Sequence, residues 1–222
     1  MMQSTVLEGK TAEFDLDILN QQFEHAHPKT ILAWCKANIP TGLVQASTFN
    51  IDDVVITDLL YHQLKSEIRI PIIFLDTLHH FSETLELVAQ ATKIYNLDLQ
   101  IYKIPKLKSR TAFVNKYGEA LWEKDFDIFQ KLTKIEPLER GLADLETVAW
   151  ISGRCRNQAT ISSRLSIPVF ERDRHQRLKI NPLANWTRVE SWAYVYEYDL
   201  VYNPLYDLGY SNIGDEPLTT KF

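Results

Sequence analysis

Three short stretches of this chain carry side chains able to grip an anion. The first, Gln45-Ala46-Ser47-Thr48-Phe49-Asn50, places two adjacent hydroxyls and an amide just before a helical pattern, where the unpaired N–H groups of a helix start receive negative charge. It has neither glycine nor lysine and is not a Walker loop. Ser47, Thr48 and Asn50 also read as plain helix caps, with Asp52 and Asp53 complementing the helix dipole, and locally both readings stand. The second stretch is Asp76-Thr77-Leu78-His79-His80-Phe81. Neighbouring histidines rarely converge on one ion and no cysteine lies near, so contacts of Asp76, Thr77 or His79 to a base or ribose are preferred to a metal. The third is basic: Ser152-Gly153-Arg154-Cys155-Arg156-Asn157-Gln158, with Arg164 further on and Lys134 before Glu136-Pro137-Leu138. Arginines here suit bidentate pairing with sulfate or phosphate; a solvated loop is the alternative.

The elements that must position these residues follow from hydrophobic patterning. The first forty residues read as two helices, the second starting near Pro28 with Ile31, Trp34 and Cys35 on one face, which makes Cys35 core. Strands are expected at Leu43–Ala46, Ile70–Leu75, Leu97–Tyr102 and Thr147–Ser152, with helices over Asp52–Leu64 and from Ser82, as its cap, to Tyr95. Near-continuous apolar strands separated by helices predict an α/β fold: a doubly wound, mostly parallel sheet with helices on both faces. Val169-Phe170 and Leu178-Lys179-Ile180 flank Asp173-Arg174-His175-Gln176 as a hairpin, and Thr187-Arg188-Val189-Glu190 is a capping box. One domain, 1–222, is expected: N-terminal helices in 1–40, a nucleotide-binding core in 41–165 and a substrate-facing hairpin and helix region in 166–222. In such a sheet ligands bind beyond the carboxyl ends of the strands, where the strand order reverses.

Bulk properties narrow the function. The 222 residues are 45% hydrophobic and 24% charged, an ordinary globular balance. A net charge of −5 argues against a nucleic-acid coat, and no apolar run approaches the roughly 18 residues of a membrane span. The N-terminus shows no secretory signal, which makes the cytoplasm, or the cytosol-like interior of an organelle, the expected location. The two cysteines, Cys35 and Cys155, form no CxxC pair, so neither a cysteine-built zinc site nor a four-cysteine iron–sulfur cluster is expected.

Taken in order, many segments resemble the thioredoxin-dependent phosphoadenylyl-sulfate (PAPS) reductases of the PP-loop, adenine-nucleotide α-hydrolase-like group. They include Ser47-Thr48-Phe49, Asp76-Thr77-Leu78-His79-His80-Phe81-Ser82-Glu83-Thr84, Lys116-Tyr117-Gly118, Leu121-Trp122-Glu123 and Lys134-Ile135-Glu136-Pro137-Leu138. Further on come Trp150-Ile151-Ser152-Gly153-Arg154, Leu178-Lys179-Ile180-Asn181-Pro182-Leu183, Asn185-Trp186-Thr187, the run Tyr202 to Tyr210 and Ile213-Gly214-Asp215. The resemblance implies binding of 3′-phosphoadenosine 5′-phosphosulfate and its reduction to sulfite and adenosine 3′,5′-bisphosphate, with thioredoxin as reductant and no metal or other cofactor. It adds Phe49 and Trp186 to the substrate-binding set, and a homodimer by analogy. A related branch carries an iron–sulfur cluster on a Cys-Cys pair; Phe129-Gln130 stands where that pair would fall, which points to the cluster-free, 3′-phosphate-using branch.

The chain departs from the family pattern in several places. Asn50 stands where many relatives have glycine, Cys155 where a second arginine is expected, and Ser162 where an arginine is usual, with Arg164 as its substitute. The family's nucleophile is a cysteine in a Glu-Cys-Gly-(Leu/Ile)-His tail, whereas this chain stops at Phe222, seven residues after Asp215. The resemblance thus implies no catalytic residue within the 222, and expects the tail cysteine beyond Phe222. Three readings follow: a truncated reductase, a catalytically silent nucleotide-binding paralogue or subunit, and an altered enzyme using Cys155, whose thiol would be activated by Arg154 and Arg156.

Overall fold

The computed structural model describes residues 14–65, 69–155 and 167–221. Two helices lead in. α1 (Leu16–Phe23) is capped by Asp15, whose carboxylate accepts from the N–H groups of Asp17 and Ile18, and α2 (Pro28–Asn38) has Pro28 in its first turn. Ile31 and Cys35 are buried on α2 and Trp34 packs beside them.

Six strands form one sheet: β1 (Leu43–Ser47), β2 (Ile72–Asp76), β3 (Leu99–Lys103), β4 (Ala149–Ile151), β5 (Phe170–Arg172) and β6 (Leu178–Ile180), in the order β3-β2-β1-β4-β6-β5. All neighbouring pairs are parallel except β5–β6. β2 starts two residues later than its apolar run because Pro71 has no N–H to give a ladder; its carbonyl instead accepts from Gln45 N–H at 2.9 Å.

Helix α3 (Ile51–Asp58) runs on into a π-helical turn, Leu59–Gln63, and leads from β1 to β2; α4 (Ser82–Tyr95) leads from β2 to β3. The expected cap of α4 shifts by one residue. Phe81 occupies that position in an extended conformation, and Ser82 lies inside the first turn, its hydroxyl donating to Glu83. After β3 the chain passes through α5 (Arg110–Tyr117), α6 (Leu121–Lys124), α7 (Phe126–Gln130) and α8 (Glu136–Asp144), then enters β4 on the other side of β1. The winding therefore reverses between β1 and β4.

Both faces of the sheet are covered, as the apolar strands require. Leu43, Ile151 and Ile180 pack with α2, α3 and α9 (Arg188–Glu197), while Val44 and Ile73 meet Leu142 of α8 on the opposite face. Helix α8 lies close because residue 141 is glycine: a Cβ there would be 2.9 Å from the Tyr102 ring. The expected hairpin is present as β5–β6, but it belongs to the main sheet. Since β6 runs parallel to β4, the Asp173–Arg177 turn lies at the amino ends of the strands, away from the switch point. The free edge of β5 is sealed by Asn20, whose side-chain amide donates to Phe170 O and accepts from Phe170 N, both at 2.8 Å. Among the described residues no helix is long and apolar enough to cross a membrane.

Candidate nucleotide site

The loops after β1 and β4 meet at the switch point through one carboxylate. Beyond Ser47 the chain turns sharply at Phe49, which takes a left-handed conformation (φ 56°) and buries its ring edge-on against Phe74. Ser47 Oγ accepts from Phe49 N–H at 3.1 Å, and Asn50 caps α3 by accepting from Asp53 N–H at 3.1 Å. Thr48 donates twice to Asp53 Oδ2, from its N–H and its hydroxyl, each at 2.7 Å. From the far side Gly153 N–H faces this carboxylate and favours its charged form. A Cβ on Gly153 would lie 2.3 Å from Asp53 Oδ1, so only glycine lets the two loops approach this closely.

Asp52 and Asp53 are therefore not solvated complements of a helix dipole; both are buried. Burial pushes the Asp53 carboxyl up to about 6, the hydrogen bonds from Thr48 and the facing N–H of Gly153 opposing the rise and the neighbouring Asp52 adding to it. Asp52 accepts from Arg188 Nη1 at 2.9 Å and from Ser191 Oγ at 2.6 Å, which ties the start of α3 to the start of α9. The capping reading holds for Asn50. Thr48 is committed to Asp53.

The loop after β2 is held by the C-terminal segment. Asp76 accepts from Leu78 N–H at 3.0 Å and faces Lys103 Nζ at 3.4 Å. Thr77 donates its hydroxyl to Asp215 Oδ1 at 2.5 Å, and Lys134 Nζ forms an ion pair with Asp215 Oδ2 at 2.8 Å, without the geometry of a directed hydrogen bond. Glu216 N–H donates to His79 O at 2.7 Å and its carboxylate pairs with Arg110 at 2.8 Å. Leu78 is left-handed (φ 64°), and the two histidines after it part. The His79 ring is buried among Phe113, Trp122 and Phe129 at 4.8, 5.4 and 5.1 Å, with Nδ1 2.7 Å from Thr77 O and, among the described residues, no hydrogen-bond partner for Nε2. Desolvation lowers its pKa, favouring the neutral ring. His80 stacks on Phe74 at 5.1 Å with Nε2 2.8 Å from Leu75 O. The expected contact of His79 to a base or ribose is thus not what its position offers; the residue anchors the loop to the aromatic cluster.

Of the basic residues, Arg154 is largely exposed, its Nη1 3.9 Å from Glu171 Oε1, beside Lys179, which pairs with Glu171 at 2.8 Å. Arg156, Arg164 and Ser162 lie outside the described residues. So does Phe222, the position beyond which the family's tail cysteine is expected; the described chain ends one residue earlier, at Lys221. Trp186 is not brought to the switch point. The turn Leu183–Trp186 delivers its indole to the apolar core, against His27 at 5.7 Å and Tyr194 at 6.0 Å. Among the described residues no three His, Cys, Asp or Glu side chains gather as a metal-ligand set.

With this geometry in place, residues 42–221 match the sequence profile of the phosphoadenosine phosphosulfate reductase domain. The chain belongs to that family. Phosphoadenosine phosphosulfate reductase of Emericella nidulans is 39% identical over 90% of this chain, which spans 65% of that relative's length. A probable phosphoadenosine phosphosulfate reductase of Schizosaccharomyces pombe is 37% identical over 90% of this chain and 73% of its own. The fold superposes on the crystal structure of PAPS reductase from Candida auris, a phosphate complex, with a TM-score of 0.84 and 34% identity, covering 95% of this chain and 98% of that one.

Within the reductase family's fold, neither cysteine of this chain is presented to solvent. Cys35 is buried on α2 and its burial drives the thiol pKa far up, as its helical face predicts. Cys155, expected on the third reading as a thiol activated by Arg154 and Arg156, is only 1% exposed. Asp53, Gly153, Asp215 and Arg188 were not among the expected binding residues. Their partners lie 100, 138 and 136 positions away along the chain for Asp53–Gly153, Thr77–Asp215 and Asp52–Arg188, distances over which no local pattern speaks.

Proposed function

We propose that this protein holds 3′-phosphoadenosine 5′-phosphosulfate across the carboxyl ends of β1, β2 and β4, and that it serves its reduction to sulfite in sulfate assimilation. The observation that carries the reading is the convergence of the β1 and β4 loops at the switch point of a reductase-family sheet. In the reaction a cysteine thiolate attacks the sulfur, the bond from sulfur to the 5′-phosphate oxygen breaks, and its electron pair leaves with adenosine 3′,5′-bisphosphate. The resulting enzyme thiosulfonate is resolved by a dithiol, which becomes a disulfide as sulfite departs; we take that dithiol to be thioredoxin and the compartment to be the cytoplasm. No cofactor is invoked. A homodimer is part of the same reading.

A second reading, a nucleotide-binding subunit without turnover, is favoured by the burial of both Cys35 and Cys155. Both readings require the pocket. Adenosine 3′,5′-bisphosphate is expected to raise the melting temperature by mass action, and to do so more than adenosine 5′-monophosphate if the 3′-phosphate is read. An absence of both calorimetric heat and thermal shift at millimolar ligand rejects the pocket.

A further inference from the structure

Donors at the switch point are occupied by a carboxylate of the chain itself. Thr48 N–H and hydroxyl on the β1 side and Gly153 N–H on the β4 side all point at the Asp53 carboxylate, at 2.7 Å for both Thr48 bonds. A carboxylate oxygen and a sulfate or phosphate oxygen are equivalent acceptors for such donors. We propose that Asp53 is an internal competitor of the ligand, its carboxylate sitting on the donors that an entering sulfate or phosphate group would take. The proposal rests on the nucleotide-binding reading above.

Three features support competition over a purely structural tie. The contact is too close to be incidental, since the space a Gly153 Cβ would fill is taken by Asp53 Oδ1. The carboxylate has no ion-pair partner among the described residues: Arg188 of α9 is engaged with Asp52, and Arg154 of the β4 loop has Glu171 as its nearest carboxylate. The charged neighbour on its own helix is Asp52, of like sign. A carboxyl with this burial protonates near 6, so the barrier to an entering anion changes within an accessible range. Two anions cannot share one set of donors. Ligand therefore binds best when Asp53 is neutral, and apparent affinity falls about tenfold per pH unit above that value.

The test is calorimetry on the whole 222-residue protein between about pH 5 and 8, with inorganic sulfate, whose charge is constant over that range, and with adenosine 3′,5′-bisphosphate. Wild-type affinity for sulfate is expected to weaken as pH rises. Asp53→Ala, shown to be folded by circular dichroism, is expected to bind both ligands at least tenfold more tightly at the upper end, with a flat sulfate profile. The wild-type pH series needs no variant. A flat wild-type sulfate profile overturns the proposal, as does a folded Asp53→Ala protein that binds no better than wild type. If adenosine 3′,5′-bisphosphate binds wild type and variant alike, the pocket stands and the competition is rejected. If it binds neither, the nucleotide reading itself fails and the competition with it.

Discussion

A methyl group added to Gly153 would meet Asp53 Oδ1 at 2.3 Å and its Cγ at 3.1 Å, and a short buried carboxylate has little room to retreat. Gly153→Ala is accordingly expected to destabilise the fold by about 1–3 kcal/mol, the usual cost of overpacking. Urea unfolding measures it, and the cost should largely vanish in an Asp53→Ala background, because the two residues are in contact; an undiminished cost there would place the strain elsewhere. Asp53 also sets a pH dependence. Its folded pKa, about 6, lies above the ordinary aspartate value of 3.8, so the fold binds this proton more tightly than the unfolded chain. Stability from this group is present below about pH 4 and is lost as pH rises through 6. The lowered values of Glu171 and Asp173 act in the opposite sense and in a lower window, as pH falls below the ordinary carboxylate range. What the sequence conveys at this scale depends on reach. Asn50 as a cap and Cys35 as core are legible from neighbours one to four residues away. The burial of His79 is not, because it follows from the left-handed turn at Leu78 and from rings supplied by α5, α6 and α7.

Helices α3 and α9 are the elements that hold the loop after β1 in place. Asp52 reaches Arg188 and Ser191, and six residues on Asp58 accepts from Tyr194 at 2.7 Å, so the pair is fastened at both ends. Arg188 also donates to Ser211 O at 3.0 Å and to the Tyr206 hydroxyl at 3.2 Å, linking the C-terminal segment to the same helix. Arg188→Met keeps most of the side-chain volume but leaves the Asp52 carboxylate, wholly buried, with Ser191 as its remaining hydrogen bond from α9. A cost of about 2–4 kcal/mol is expected, set somewhat below that of a fully buried pair because Arg188 is partly exposed. Asp52→Asn combined with Arg188→Met should recover part of it; a double variant no more stable than Arg188→Met would show that packing dominates over charge. The capping box of α9 and the proline start of α2 are readable from the sequence because each lies within four residues. The pairing of α3 with α9 is not, since an amphipathic pattern reports that a face is buried without naming what buries it.

At the scale of the molecule the mostly parallel, two-sided sheet follows from the alternation of apolar runs and helices, and the reversal between β1 and β4 brings the loops after β1, β2 and β4 to one end. The hairpin is the exception. Its polar turn resembles a substrate-facing loop in sequence, yet its parallel pairing with β4 sends that turn to the opposite end. The chemistry is divided in the same way: on the function proposed above the switch point holds the nucleotide, while the two cysteines, both buried, offer no thiolate to its sulfur. Attack requires a thiolate in line with the leaving phosphate oxygen. Cys35 is locked in the core with its ionisation suppressed, and Cys155 is buried at the edge of the loop expected to hold the anion. These residues alone, supplied with thioredoxin and 3′-phosphoadenosine 5′-phosphosulfate, are therefore expected to bind nucleotide and release no sulfite, and Cys155→Ser should behave identically. Joining a family-type Glu-Cys-Gly-Ile-His segment after Phe222 through a flexible linker should start sulfite release, because it would add a nucleophile to the proposed pocket. Sulfite measured from the three proteins side by side decides the matter: turnover by the unextended protein that disappears in Cys155→Ser would make Cys155 the nucleophile and require its burial to be relieved during the cycle.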